Sequence, residues 1–277
     1  MTTLSQKNLL QLARKNELDN NVTLAIQNLE EALREGSSQE IVLMLCELYL
    51  KDKQEYAAYS LIKEEGDLFS DKTIFTEYSK ILKANHFAIE AFEVTNLTKG
   101  ELAISVEPVS ITEQQELMLK FKQLKQPTQY DYQQLFKLSL ANFKFFAQSL
   151  LVDPTLNFAV RIALCEDFVR LGLKDEISVV ILGDLVKFIP ADTNLLKDEP
   201  IYREVISGIG AKYYHRPSQL PVVLAEVNLI LGSLYPMINK YVDEPDSFAS
   251  DIASYIDNHD GRGNQKLFET IELNLPK

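Results

Sequence analysis

The chain has 277 residues, of which 46% are hydrophobic and 25% are charged, a balance typical of a folded protein. Its formal net charge of −12 argues against binding to nucleic acid or to anionic lipid, because both need a basic surface. The two cysteines, Cys46 and Cys165, have no spacing that makes a disulfide framework or a zinc site, so we expect two buried free thiols.

The N-terminal residues lack the apolar core of a signal peptide. The most apolar run, residues 221–238, contains Glu226 and Asn228 and is short for a membrane span of roughly 20 residues. We therefore expect a buried core helix in this run, no association with a membrane, and a cytoplasmic protein.

Residues 1–99 carry apolar side chains at the three- and four-residue spacing of amphipathic helices. The pattern predicts three helical hairpins. Their helices cover residues 3–16 and 21–35, then 41–49 and 56–62, then 74–82 and 89–94. Ser37 and Glu40 have the spacing of a capping box at the start of the third helix.

Small residues recur at a regular interval along this segment. Ala25, Ala57 and Ala91 are 32 and 34 residues apart. Ala25, Leu29 and Ala32 share one helical face, where small side chains let a neighbouring helix come close. A period near 34 residues with two helices per unit is that of the tetratricopeptide (TPR) repeat, so residues 1–99 are predicted to be a TPR-like array.

Gly100 and Pro108 interrupt the periodicity and predict a linker over residues 100–111. A helical module is predicted to follow over residues 112–258. Thr112 and Gln115 indicate a capping box at its start.

Within this module we predict one long amphipathic helix from Thr128 to Leu150. The next helix is predicted to begin at Asp153-Pro154, with Asp153 as the N-cap. Two runs rich in β-branched residues then flank Gly183-Asp184 and predict a β-hairpin near residues 177–189. Gly183 at the first central position favours a type II′ turn. Residues 259–277 form a tail without a predicted structure.

The order of motifs in the C-terminal half has a resemblance of its own. The motifs are Asp153-Pro154-Thr155-Leu156, the hairpin, Asp198-Glu199-Pro200-Ile201-Tyr202, Leu234-Tyr235-Pro236 and Ser254-Tyr255-Ile256. With the helical hairpins before them, they resemble a family of TPR-repeat-containing proteins of low-GC Gram-positive bacteria. The resemblance implies a mostly α fold, with helical hairpins first and a helical module carrying one β-hairpin last. It implies no catalytic site.

Motifs for catalysis are missing from the sequence, which has no P-loop, G-x-S-x-G, H-E-x-x-H or C-x-x-C. His86, His215 and His259 lie far apart and none has the spacing of metal ligands. Gly208-Ile209-Gly210 sits in a helical pattern with no strand before it, which favours close helix packing over a nucleotide loop. We expect no catalytic residue, no cofactor and no metal.

A candidate binding surface follows from the predicted array, because the first helix of each unit lines the concave side of such a stack. The predicted peptide-binding groove consists of Lys7, Leu10, Arg14, Val42, Tyr49, Thr76 and Lys80. Arg14 and Lys80 are the cations expected to bind a carboxylate. The alternative is that both are solvated surface charges, since a shift of one residue in the helix register changes every assignment.

These features favour a protein-interaction scaffold that binds an unidentified peptide or partner protein through the concave TPR-like face. The alternative is a small-molecule binder or enzyme with a pocket between the helical array and the C-terminal module. The sequence has no clustered histidines or cysteines and no Gly-rich loop, so these signals of an enzyme do not support that alternative. A third hypothesis is a homo-oligomer formed through Tyr235-Pro236 or through the edge of the hairpin.

Overall fold

A computed structural model describes residues 3–274. Within these residues the chain is mostly helical, with fourteen α-helices and one two-stranded antiparallel hairpin, which confirms the predicted fold class. The contacts divide the chain into two compact units. The first unit runs to Phe92 and also contains Leu102–Gln123 and Gln129–Leu140, and the second contains Glu93–Glu101, Leu124–Thr128 and the chain from Ala141 onward.

Six helices joined by short turns form most of the first unit. They are α1 (Leu4–Leu18), α2 (Val22–Glu35), α3 (Gln39–Lys51), α4 (Glu55–Ile62), α5 (Lys72–Asn85) and α6 (Ala88–Leu97), the last half of which belongs to the second unit. All six coincide with predicted helices. Consecutive helices contact each other from α1 through to α5, and α3 also contacts α5, as in a stack of helical hairpins.

The face predicted from small residues is the centre of this packing. Ala25, Leu29 and Ala32 of α2 are completely buried, and they form one core cluster with Leu10 and Ala13 of α1. Because alanine adds only a methyl group, the two helices pack along their length, and a larger side chain here would push them apart.

Two predicted helix caps are wrong by one or two residues. Ser38, not Ser37, caps α3, and its hydroxyl accepts a hydrogen bond from the Ile41 N–H. The helix α7 (Ile111–Gln123) begins after Ser110, whose hydroxyl and N–H both bind the Glu113 carboxylate. In both cases the observed cap is a serine within two residues of the predicted cap, and sequence spacing alone did not select it.

The long helix predicted from Thr128 to Leu150 is also wrong. The chain forms α8 (Gln129–Gln133), a 3₁₀ turn over Gln134–Lys137, and α9 (Leu140–Leu151). Leu138 between them is extended, with φ −73° and ψ 154°. The Lys137 carbonyl accepts the Val109 N–H, and the Gln114 side chain accepts the Ser139 N–H, so these backbone groups are bound to other segments. Val109, Gln114, Lys137 and Ser139 all belong to the first unit.

Besides most of α9, the second unit contains the remaining helices and the hairpin. They are α10 (Phe158–Arg170), β1 (Ile177–Ile181), β2 (Asp184–Phe188), α11 (Pro200–Lys212), α12 (Leu220–Leu234), α13 (Pro245–Asn258) and α14 (Gln265–Asn274). The helix α12 contacts α10, α11, α13 and α14 and includes most of the predicted core helix. The helix α14 occupies most of the predicted tail, whose last residues, 275–277, lie outside the described part of the chain.

The structure corrects the predicted start of α10. Asn157 is the N-cap, and its side chain accepts the Ala159 N–H at 2.9 Å. Asp153 instead accepts the N–H and hydroxyl of Thr155, so Asp153-Pro154 forms a separate turn before the helix.

The hairpin is present at the predicted place with a different turn. Ile181 pairs with Asp184, so the two loop residues are Leu182 and Gly183, with φ 50° and 86°. Positive φ at both positions defines a type I′ turn rather than the predicted type II′ turn. The pairing moves glycine to the second central position and leaves a leucine in the left-handed region.

Close helix packing explains Gly208, as predicted. A Cβ atom at this position would lie 3.1 Å from the Cβ of Ala249, at the contact between α11 and α13.

Among residues 3–274, no helix is long and apolar enough to cross a membrane.

Candidate functional site

The predicted groove residues all lie on α1, α3 and α5, but they do not all face solvent. Leu10 is 6% exposed and Val42 is 1% exposed. Both side chains belong to the core, because the helix faces that carry them meet neighbouring helices, and neither can contact a ligand. Tyr49 is half-buried and donates a hydrogen bond to Glu30 at 2.8 Å.

The polar members of the predicted groove are exposed. Lys7 and Thr76 are exposed, and the Thr76 hydroxyl donates to the Lys72 carbonyl at 2.7 Å. Arg14 of α1 pairs with Glu40 of α3. Lys80 of α5 lies 2.7 Å from Glu77 and 4.0 Å from Glu47 of α3.

Ion pairs therefore connect the first helices of successive hairpins, α1 with α3 and α3 with α5. Glu17 of α1 also pairs with Lys51 of α3. Pairs of α1 with α3 and of α3 with α5 place these charged side chains on one surface. Together with exposed polar residues three to seven positions away on the same helices, we call this surface the first-helix face. It consists of Lys7, Gln11, Arg14, Glu17, Glu40, Glu47, Lys51, Thr76 and Lys80.

The cations of this face differ in how firmly they are held. The pair of Arg14 with Glu40 is solvent-exposed, and such pairs contribute only about 0–1 kcal/mol, so Arg14 remains available to another anion. Lys7 forms no ion pair with any described residue. Lys80 is bound to the buried Glu77, whose hydrogen bond raises the pKa of Lys80. Lys80 therefore stabilises the fold and is also one of the cations of the first-helix face.

A buried polar cluster lies behind the same helices. The carboxylate of Glu90, 3% exposed, accepts hydrogen bonds from the hydroxyls of Tyr59 and Tyr78 and from Lys63 Nζ at 2.7 Å. A carboxylate with two phenols and an amine resembles a catalytic group. Here both carboxylate oxygens are occupied by these donors, so the cluster is a satisfied core network.

The cysteine thiols have no features of nucleophiles. Both are buried, and burial raises the pKa of each thiol, that of Cys46 to about 12. In the described part of the chain no group of three or more His, Cys, Asp or Glu side chains is placed to hold a metal ion.

One lysine, Lys137, has a pKa that is lowered rather than raised. Burial lowers the pKa of Lys137, which lines a cavity of about 240 Å³ together with Glu113, Glu116 and Lys120. A lysine of lowered pKa in a cavity is a feature of some active sites, but Glu55 and Glu113 stabilise its charged form. Sequence reasoning did not identify this residue, because Lys137 lay within the helix that was predicted to be continuous.

A cavity of about 360 Å³ lies among α12, α13 and α14 in the second unit. Its walls are mostly apolar, with two carboxylates, an imidazole and the Tyr255 hydroxyl at polar positions. The lining residues are Val222, Glu226, Leu229, Ile230, Tyr255, Ile256, His259, Phe268, Ile271 and Glu272.

This cavity was not predicted, because its walls come from helices up to 50 residues apart, from Val222 to Glu272. Each apolar residue reads in its own helix as an ordinary core position. The two carboxylates are exposed on their helices and give no signal in sequence. Only the packing of α14 brings them to one cavity.

Comparison of the chain with protein-family models, with curated proteins and with solved structures found no match. The resemblance to a TPR-repeat family therefore stays a prediction. The function must be inferred from the geometry of the chain itself.

Proposed function

We propose that the chain is a protein-interaction scaffold whose first-helix face binds an acidic peptide segment of a partner protein. The observation that carries this proposal is the row of exposed cations on that face. Lys7 and Arg14 lie two turns apart on α1, and Lys51 and Lys80 lie on α3 and α5. We also place the protein in the cytoplasm, where two free cysteines remain reduced.

The charge distribution supports an acidic partner. The whole chain has 28 basic and 40 acidic residues, whereas the four exposed cations of the first-helix face outnumber its two exposed glutamates. Exchange of the Glu40 carboxylate for a ligand carboxylate costs Arg14 little, because an exposed pair is weak. Arginine also binds a carboxylate through two parallel hydrogen bonds.

The experiment is a selection of a displayed peptide library on the full chain, followed by affinity measurement at several salt concentrations. We expect enrichment of peptides with clustered Asp and Glu and an affinity that falls as salt rises. The double variant Lys7→Glu with Arg14→Glu should weaken the selected peptides at least about tenfold. Lys80 is left intact because it binds the buried Glu77.

The matched control reverses two charges of the same unit outside the face. Arg34 of α2 and Lys53 of the turn after α3 are both exposed. Arg34→Glu with Lys53→Glu changes the net charge equally and should leave peptide affinity within about twofold. Equal losses in the two double variants would mean a general charge effect, and unchanged binding in both would exclude the first-helix face.

A second candidate function rests on the cavity among α12, α13 and α14. Its volume of about 360 Å³ lies within the range of small-molecule sites, which is about 300–1,000 Å³. The apolar walls suit an aliphatic or aromatic body, and Glu226 and Glu272 suit a cationic head. This candidate is a binder of amphiphilic amines, located within the second unit.

Octylammonium and octanoate test this function, because both probes have eight carbon atoms and a linear alkyl group but carry head groups of opposite charge. Calorimetry should detect octylammonium binding and at least about tenfold weaker octanoate binding. Glu226→Gln with Glu272→Gln should remove this preference, whereas Glu269→Gln, an exposed position of α14 outside the cavity, should keep it. Binding of neither probe would exclude this function.

A further inference from the structure

A buried arginine of the second unit has no negative partner. Arg161 of α10 is 9% exposed and forms no ion pair with any residue of the described chain. Its Nη1 donates to the Val180 carbonyl at 3.1 Å, and its Nη2 donates to the carbonyls of Gly232 and Ser233 at 3.3 and 2.7 Å. Its Nε is buried and has no hydrogen-bond acceptor.

The three carbonyls offset only part of the guanidinium charge. Gly232 and Ser233 belong to the last turn of α12, where the helix dipole is equivalent to about half a negative elementary charge. A buried cation without full compensation destabilises the folded state. A buried arginine is normally paired for this reason, so the missing charge is the feature that needs an explanation.

Arg161 also lines a cavity of about 40 Å³. The Leu182-Gly183 turn of the hairpin, Ser233 of α12 and Asn274 of α14 form other parts of its wall. A second donor without an acceptor lies in the same region, since the Tyr241 hydroxyl is buried and unbonded. Its phenol is near enough to influence the pKa of Arg161.

From this geometry we propose that the Arg161 cavity binds a small oxyanion, such as phosphate or a carboxylate group. The cavity volume fits an anionic group and excludes a larger body from its interior. The anion would lie against the part of Arg161 that lines the cavity and supply the negative charge that Arg161 lacks. This site is separate from the first-helix face and from the cavity among α12, α13 and α14.

One wall residue opposes the anion. The Asp153 carboxylate also lines the cavity, but it accepts the N–H and hydroxyl of Thr155 at 2.8 and 2.7 Å. Its charge should weaken anion binding without preventing it. A substitution that removes this charge should therefore strengthen binding, which is the opposite of the effect of adding a carboxylate.

The experiment titrates inorganic phosphate and acetate into the full chain, by calorimetry and by the concentration dependence of the unfolding temperature. We expect saturable one-site binding and a rise in the unfolding temperature with anion concentration. Asn274→Asp adds a carboxylate at an exposed wall position and should weaken the affinity about five- to tenfold. Asp153→Asn keeps an acceptor for Thr155 and should strengthen it by a similar factor.

Arg161→Met also removes three hydrogen bonds to the backbone, so a loss of binding in that variant is not decisive. The two wall variants keep Arg161 and therefore decide the question. Opposite changes in affinity at equal salt support the site, because a general ionic-strength effect acts equally on both variants. Absence of saturable binding to the wild type overturns the proposal and assigns the cavity to water. Equal affinity in both wall variants overturns it as well.

Discussion

At the scale of single residues, the chain keeps several charged side chains out of water, and each is stabilised differently. Glu90 is surrounded by hydroxyl and ammonium donors. Glu77 has Lys80 at one oxygen and no partner at the other. Arg161 has carbonyl acceptors and no anion. These differences set which residues are structural and which are open to a ligand.

Glu90→Gln tests the structural role of the buried cluster. Glutamine has nearly the same shape, but it replaces a carboxylate that receives charge-assisted hydrogen bonds with a neutral amide. The expected loss in the free energy of unfolding is about 2 kcal/mol, measured by urea denaturation. The exposed Glu47→Gln should change it by less than about 0.5 kcal/mol. Equal effects would contradict the assignment of Glu90 to the core.

The buried thiols predict a loss of stability at alkaline pH. The Cys46 thiol has a pKa of about 12 in the folded chain, against an ordinary value of 9.0, mainly because of burial. Between these values the folded state keeps the proton that the unfolded state releases. Stability is therefore fully present below pH 9 and falls as the pH rises towards 12.

Denaturation at several pH values between 8 and 11 measures this slope. One such thiol contributes a decrease of up to about 1.4 kcal/mol per pH unit above its unfolded pKa. Cys46→Ala should be less stable at neutral pH because it leaves a small cavity, but its slope should be shallower. Parallel slopes for the two proteins would show that Cys46 does not titrate on unfolding.

At the scale of elements, the residues at the ends of helices and strands determined where each element stops. The pairing of Ile181 with Asp184 places Leu182 and Gly183 in the turn, both with positive φ. Glycine adopts this conformation freely, whereas an L-residue with a Cβ pays about 1–2 kcal/mol. The hairpin therefore depends on Gly183 and is already strained at Leu182.

Gly183→Ala should destabilise the chain by about 1 kcal/mol, because the methyl group must enter the left-handed region. The matched control is Gly66→Ala, since Gly66 has no positive φ and no atom within 4 Å of an added Cβ. That change should be neutral or slightly stabilising, through the lower entropy of the unfolded chain. Thermal unfolding followed by circular dichroism compares the two variants, and a greater loss for Gly66→Ala would contradict the turn assignment.

At the scale of the whole molecule, the chain divides into two compact units. The fragment of residues 1–140 contains the entire first unit, including the core cluster around Leu29. A compact unit with its own core is expected to fold by itself. The fragment should therefore unfold cooperatively on heating, as measured by circular dichroism.

Within that fragment one segment should behave differently. Residues 93–101 belong to the second unit, where the Asn96 side chain donates to the Arg170 carbonyl at 2.7 Å. Without this contact their amide hydrogens should exchange rapidly, while those of α2 and α3 stay protected. A fragment without a cooperative transition would show that the first unit cannot fold independently.

Local signals in the sequence determined most of the elements. The periodicity of apolar residues located α1 to α6, and β-branched runs located both strands. These elements were predictable because each buries one face or one alternating set of side chains, and this leaves a repeating pattern. The mostly α fold with one β-hairpin followed from those patterns alone.

The tertiary structure decided what the patterns leave open. Packing against the residues around Val109 and Gln114 broke the helix predicted from Thr128, because other segments bind its backbone groups. Burial of Leu10 and Val42 removed two members of the predicted groove, since periodicity identifies apolar positions without naming their neighbours. The Arg161 cavity and the α12–α14 cavity join residues far apart in sequence, and a one-dimensional pattern contains no information about such contacts.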